Sequence, residues 1–297
     1  MKAKYITPAV AVFDEKGKID TDGNCRLFNH LIKGGISGIV ILGSTGEFFN
    51  MPMAEIRKYI DLACRYIDHK TELYVGTSRM IPEETIELSN YALSKGADGV
   101  MIISPYYFPL TDESIELYYD TVAEKINGKV YLYNYPAITK HEISAKIALS
   151  LARKHKNICG VKDTTPIVGH TRELIKTILP EFPDFEIYNG FDEAFGFVTL
   201  SGGTGVIGGL SNLCPEIFAK WVKAFNEKDF DAFSQCQQTV NTLMEIYAIG
   251  SPYIPVMKRA LNLRGLGISE FVTNPFIKCS PEQEIRLKEV MKNAGLL

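Results

Sequence analysis

The sequence predicts an α/β chain folded as a (β/α)8 barrel with a C-terminal helical extension. Eight short runs rich in β-branched residues recur along its 297 residues. Several are apolar on both faces, which suits parallel strands covered by helices rather than strands with one wet face. The stretches between them carry apolar residues at three- and four-residue spacing, the period of an amphipathic helix. A doubly wound sheet is the competing architecture, but eight evenly spaced units fit a closed barrel better.

In chain order, strands are expected at 6–13 (ITPAVAVF), 38–44 (GIVILGS), 73–78 (LYVGTS) and 99–105 (GVMIISP). They continue at 129–136 (KVYLYNYP), 158–164 (ICGVKDT), 185–191 (FEIYNGF) and 203–209 (GTGVIGG). Helices fall between them, as in 52–68 and 82–96. Gly96, just past Lys95, is a helix stop, because glycine takes the left-handed conformation that a helix end often needs. Segments 215–250 and 251–266 then supply more helix than closing a barrel requires. No Pro/Ser-rich linker precedes them. Residues 1–225 are therefore expected to form the barrel, and residues 226–297 an extension packed on the same unit.

The composition is ordinary for a globular chain, 46% hydrophobic and 23% charged, with net charge −3 and a pI near 6.0. Without a basic tract or a basic-aromatic stripe, nucleic acid is not an expected partner. The six cysteines form no C-x-x-C pair and read as reduced thiols, which favours a cytoplasmic protein. The N-terminus turns acidic too soon for a signal peptide. No apolar stretch reaches the roughly 18 residues that would indicate a membrane span.

In such a barrel, chemistry gathers at the carboxyl ends of the strands. There the sequence places GSTGE (Gly43–Glu47), SPYY (Ser104–Tyr107), YNYP (Tyr133–Pro136), VKDT (Val161–Thr164) and NGFDE (Asn189–Glu193). Lys162 follows the apolar run Ile158–Val161, and lysine is almost never fully buried without a partner or a task. Two readings stand. Its stem packs while the ammonium snorkels or pairs with Asp163. Alternatively, desolvation favours a free amine that attacks a carbonyl, and the resulting iminium draws electrons from the neighbouring carbon. In GSTGE, backbone N–H groups and the hydroxyls of Ser44 and Thr45 offer donors for a carboxylate, or simply make a tight turn with Thr45 as a cap. Tyr133 shares a strand face with Tyr131 and Tyr135 and is either a proton relay or core packing. The five histidines show neither H-x-H nor H-E-x-x-H spacing, so no metal is expected.

Taken in order, GSTGE, SPYY, YNYP, GVKDT and NGFDE resemble the pyruvate-dependent class I aldolases. That family includes dihydrodipicolinate synthase, N-acetylneuraminate lyase and 2-keto-3-deoxygluconate aldolase. The resemblance runs from about Ile6 into the C-terminal helices. It implies a barrel without metal or organic cofactor, usually a homotetramer assembled as a dimer of dimers, acting on pyruvate and an aldehyde. It implies that Lys162 is the Schiff-base nucleophile and Tyr133 the proton-relaying phenol. Ser44 and Thr45 match the hydroxyl pair that holds the pyruvate carboxylate and links to the relay. Tyr107 matches a second relay tyrosine that reaches a neighbouring subunit's site, and Ile207 the strand-eight residue whose backbone borders the keto acid.

Within the family, the synthase branch carries an arginine two residues after the YNxP proline, to grip the carboxylate of its aldehyde substrate. Here that residue is Ile138, and a hydrocarbon cannot replace a bidentate guanidinium. Asp192 and Glu193 match acidic positions that bind a polyol chain, and Thr164 and Gly190 border the same tail; acids at a helix N-terminus are the plainer reading of the pair. Gly209 stands where sialic acid lyase has a serine. The expected activity is thus reversible cleavage of a 2-keto-3-deoxy sugar acid to pyruvate and a hydroxyaldehyde. N-acetylneuraminate lyase and the synthase are the alternatives. A catalytically silent ligand-binding relative would have signalled itself by loss of Lys162 or Tyr133.

Overall fold

The computed structural model describes residues 2–297. All eight expected runs contain a strand: β1 (Lys4–Pro8), β2 (Gly38–Ile41), β3 (Glu72–Gly76), β4 (Gly99–Ile103), β5 (Val130–Asn134), β6 (Ile158–Asp163), β7 (Glu186–Asn189) and β8 (Gly205–Ile207). They close in chain order into a barrel, with every recorded pairing parallel. Every residue of β2, β4 and β5 is buried, as expected of strands flanked on both faces. Among the described residues no helix is long and apolar enough to cross a membrane.

The strands end earlier than the apolar runs suggest. Ala9–Phe13 was expected to be strand, yet β1 stops at Pro8. Beyond it only the Ala9 N–H still bonds β2, at the Val40 carbonyl, and Phe13 makes an isolated bridge with Ile19; asparagine amides serve the backbone between them. Asn212 Oδ1 accepts from the Val10 N–H, and Asn24 bonds both the N–H and the carbonyl of Val12. Burial alone therefore imitated a strand.

By internal contacts the chain forms two compact units. One comprises Leu73–Ile207 with the N-terminal residues through Lys4. Within it, Tyr133, Lys162 and Tyr188 are register partners across β5, β6 and β7, and so are Asn134, Asp163 and Asn189. Successive strand residues face opposite sides, so these are two rows, one on each face of the sheet. The helix Pro82–Ser94 ends on Lys95, and Gly96 follows at φ 105°, as its position after the amphipathic run predicts.

The other unit comprises Tyr5–Glu72 and Gly208–Leu297. It contains the C-terminal helices Pro215–Glu227, Phe230–Leu243, Ile254–Leu263 and Pro281–Asn293. Its aromatic core sets Tyr5 against Phe218, ring centroids 4.4 Å apart, beside the fully buried Trp221.

Candidate active site

Lys162 sits near the carboxyl end of β6, 7% exposed. Its Nζ lies 4.3 Å from the ring centroid of Tyr133, its register partner on β5. Among the described residues that ammonium has no hydrogen-bond or ion-pair partner. A desolvated cation over an aromatic face gains about 2 kcal/mol, well short of replacing lost hydration. Tyr135 stacks on Tyr133 at 6.0 Å, and burial raises its phenol above the ordinary value, with Tyr133 adding to the effect. Tyr131 leaves this group and donates to Glu186 at 2.6 Å.

Pairing of Lys162 with Asp163 is excluded. The Asp163 carboxylate, fully buried, is directed to the opposite face. It accepts from Asn134 Nδ2 at 2.8 Å and from Thr171 Oγ1 at 2.5 Å, and His170 Nδ1 stands 3.0 Å from it. Thr171 and His170 belong to the helix Val168–Ile178, so this face is the helix-covered one and Lys162 points into the barrel. Burial alone would lower the His170 pKa, but the Asp163 carboxylate 3.0 Å away and that of Glu142 outweigh it and raise the net value.

After β2, Ser44–Gly46 forms one tight 3₁₀ turn. Ser44 is half-buried and Thr45 is 5% exposed. Thr45 does not cap a helix: its hydroxyl lies 2.6 Å from the phenol oxygen of Tyr253. A Cβ on Gly209 would fall 2.7 Å from the Tyr247 hydroxyl and 3.0 Å from that of Tyr253. The two phenols thus occupy the space a serine side chain would need there. Glu47 closes the turn at φ 56°, a conformation that costs a non-glycine residue about 1–3 kcal/mol and persists only where the surroundings enforce it. They do so here. Its fully buried carboxylate receives Lys258 Nζ at 2.6 Å and the Thr273 N–H and hydroxyl at 2.8 and 2.7 Å.

The other residues expected at the site are placed as follows. Thr164 is 7% exposed, and its hydroxyl has no hydrogen-bond partner among the described residues. Gly190 is required beside it, since an added Cβ would lie 2.1 Å from that oxygen. Asp192 is fully buried while Glu193 is exposed, so the two acids of one short turn meet different surroundings. Ile207 ends β8 and is buried. Tyr107 is 79% exposed and packs edge-on against Phe108, which leaves it outside the cluster around Lys162. Ile138 is 43% exposed on the short helix Pro136–Thr139.

Reading the sequence missed several residues. His141 accepts from the Leu110 N–H at Nδ1, so its Nε2 carries the proton donated to Ser104 Oγ at 2.6 Å. Burial accordingly pushes its pKa down, and the neutral ring tethers the segment that carries Tyr107. Tyr253 and Lys258 were also missed, because each meets its partner far along the chain.

The Dihydrodipicolinate synthetase family model matches residues 1–294. Escherichia coli K12 YagE, which carries the provisional name 2-dehydro-3-deoxy-D-gluconate aldolase, is 31% identical over 291 residues, covering 98% of this chain and 96% of the relative. The 4-hydroxy-tetrahydrodipicolinate synthase of Methanocaldococcus jannaschii is 32% identical over 294 residues, covering 99% of each chain. The crystal structure of YagE in complex with pyruvate superposes with a TM-score of 0.97 at 30% identity, covering 99% of each chain. With a family match across nearly its whole length and a barrel of the same form, this chain belongs to the dihydrodipicolinate synthetase family and is a pyruvate-dependent lyase.

Proposed function

We propose that the protein cleaves a 2-keto-3-deoxy sugar acid reversibly to pyruvate and a hydroxyaldehyde through a Schiff base on Lys162. The observation that carries this reading is the buried ammonium of Lys162, aimed into the barrel beside Tyr133 with no anion to neutralise it. Once deprotonated, the Lys162 amine attacks the C2 carbonyl with its lone pair, and loss of water leaves an iminium. Tyr133 then takes the proton of the C4 hydroxyl as the C3–C4 bond breaks. The electron pair of that bond passes into the enamine, and the aldehyde departs. Protonation at C3 and hydrolysis release pyruvate and restore the amine.

Ser44 and Thr45 act in this reading as donors to the substrate carboxylate, with the Ile207 backbone bordering the keto acid. Thr164, Asp192 and Glu193 receive the hydroxylated tail beside Gly190, and the unpartnered Thr164 hydroxyl supports that role. Tyr107, exposed in the single chain, serves a neighbouring subunit in a homotetramer.

Ile138 favours the sugar-acid branch over the synthase branch, because it offers the second substrate's carboxylate no charge. YagE and the archaeal synthase are equally similar in sequence, so identity does not choose between them. Pyruvate release from a panel of 2-keto-3-deoxy sugar acids tests the assignment, with N-acetylneuraminate included. Turnover of a sugar acid is expected. Efficient condensation of pyruvate with aspartate semialdehyde would assign the synthase reaction instead, and preference for N-acetylneuraminate the lyase reaction.

A further inference from the structure

Behind the reactive row of Tyr133, Lys162 and Tyr188 runs a second row on the helix-covered face: Asn134, Asp163 and Asn189, register partners across the same three strands. All three are buried to within 1% of complete enclosure. Backbone hydrogen bonds already hold these strands together, so side-chain bonds along the row are not needed for pairing. Each of the three side chains is nonetheless bonded. Asn134 Nδ2 donates to Asp163 Oδ1 at 2.8 Å, and Asn134 Oδ1 accepts from the Ile143 N–H at 2.9 Å. Thr171 Oγ1 donates to Asp163 Oδ2 and accepts from Asn189 Nδ2 at 2.9 Å, while Asn189 Oδ1 accepts from the Phe191 N–H at 2.8 Å. His170 Nδ1 stands 3.0 Å from Asp163 Oδ1, and its Nε2 stands 3.4 Å from Glu142.

Asp163 is the hub. Asn134 and Thr171 donate to it, the His170 ring stands at ion-pair distance, and an ionised carboxylate is the side chain that only accepts. A buried carboxylate is expensive unless its bonds are satisfied, and a satisfied network rigidifies what it joins. What it joins here is the backbone on either side of the nucleophile. Asp163 follows Lys162 directly, and Asn134 follows Tyr133 directly. The bond between Asn134 and Asp163 therefore locks the two peptide units from which the reacting side chains project.

We propose that Asp163, with Thr171 and His170 as its supports, is a positioning residue that sets Lys162 against Tyr133 for Schiff-base formation and proton transfer. The proposal deepens the aldolase reading and rests on it. It differs from a purely structural role in what it moves. A displacement near 1 Å at reacting groups can cost on the order of a hundredfold in rate. The donors assigned to the substrate carboxylate lie on the strand-two turn, which the row does not touch, so binding should change little.

The test is steady-state cleavage of the substrate found in the panel, together with the rate at which pyruvate is trapped on Lys162 by borohydride. Asp163→Asn keeps the shape but turns one acceptor into a donor facing other donors. It should lower kcat and the trapping rate at least tenfold while KM stays within about twofold of wild type. Thr171→Val removes one donor to Asp163 and should cost severalfold in kcat, whereas Thr171→Ser retains the hydroxyl and should restore it. If Asp163→Asn does not fold, the Thr171 pair decides the matter. Wild-type kcat in a folded Asp163→Asn or Thr171→Val variant, or a loss carried by KM instead, would overturn the positioning role. Failure of the underlying reading looks different: trapping would then survive Lys162→Ala in the otherwise unaltered protein.

Discussion

Two lysines among the described residues are buried, and they are buried for opposite reasons. Lys258 is fully enclosed, and its ammonium is fully employed: it donates to Glu47 at 2.6 Å and to the Phe271 carbonyl at 2.7 Å, and lies over the Phe13 ring. Burial pushes its pKa below the ordinary value, while the Glu47 carboxylate pulls in the other direction. Lys162 is nearly as enclosed, but beside it stand a phenol ring and no anion among the described residues. Burial is common to both and so does not identify a nucleophile. The partner set does. An ion pair uses the nitrogen's charge to hold structure, whereas an unpaired amine is left available for a bond.

The largest expected effect follows directly. Lys162→Ala should abolish both turnover and borohydride trapping of pyruvate, because no other described amine combines burial with freedom from an anion. Its melting temperature should equal or exceed wild type, since no ion pair is broken and a desolvated cation is removed. Mass analysis of the trapped protein checks the first point and thermal unfolding the second. Trapping that moved to Lys258 would erase the distinction between the two lysines.

Lys258→Met is the mirror experiment. It leaves Glu47 buried and uncompensated, and breaking one side of such a pair costs about 3–5 kcal/mol. The double variant Glu47→Gln/Lys258→Met should recover much of that loss, because no buried charge remains unpaired. Folded Lys258→Met protein should still trap pyruvate at Lys162. Denaturant unfolding of the two single variants and the double gives the coupling. Additive losses would show that the pair contributes nothing as a pair.

The two lysines were not equally legible in the sequence. Lys162 stands out because a cation directly follows the apolar run Ile158–Val161, and a strand's short period exposes the exception. Lys258 lies in an amphipathic helix, where a lysine among apolar residues looks like an ordinary solvent-facing position. Its partner Glu47 lies in the turn motif GSTGE, but 211 residues separate the two, and nothing local links them. The same holds for the Thr45–Tyr253 contact, which spans 208 residues. Strand existence was legible from periodicity. Strand ends were not, because Asn24 and Asn212 satisfy the backbone of Val10 and Val12 from a distance. The row of Asn134, Asp163 and Asn189 was partly visible as polar residues at three strand ends. Its hydrogen-bond directions come only from register.

The smallest effect sharpens the comparison from the Lys162 side, where His170 stands 3.0 Å from Asp163 behind the strand. Burial would by itself lower the His170 pKa, but the carboxylates of Asp163 and Glu142 prevail and hold it above the ordinary 6.5. A folded value above the unfolded one means that the folded state binds the proton more tightly. That contribution is fully present below about pH 6.5, and it disappears as the pH rises through the raised folded value. His170→Gln retains a donor for Asp163 but cannot titrate. The melting temperature of wild type relative to His170→Gln should therefore be greatest near pH 6 and shrink toward alkaline pH. A difference that stayed constant, or grew with pH, would mean that His170 is neutral throughout and that Asp163 is held by hydrogen bonds alone.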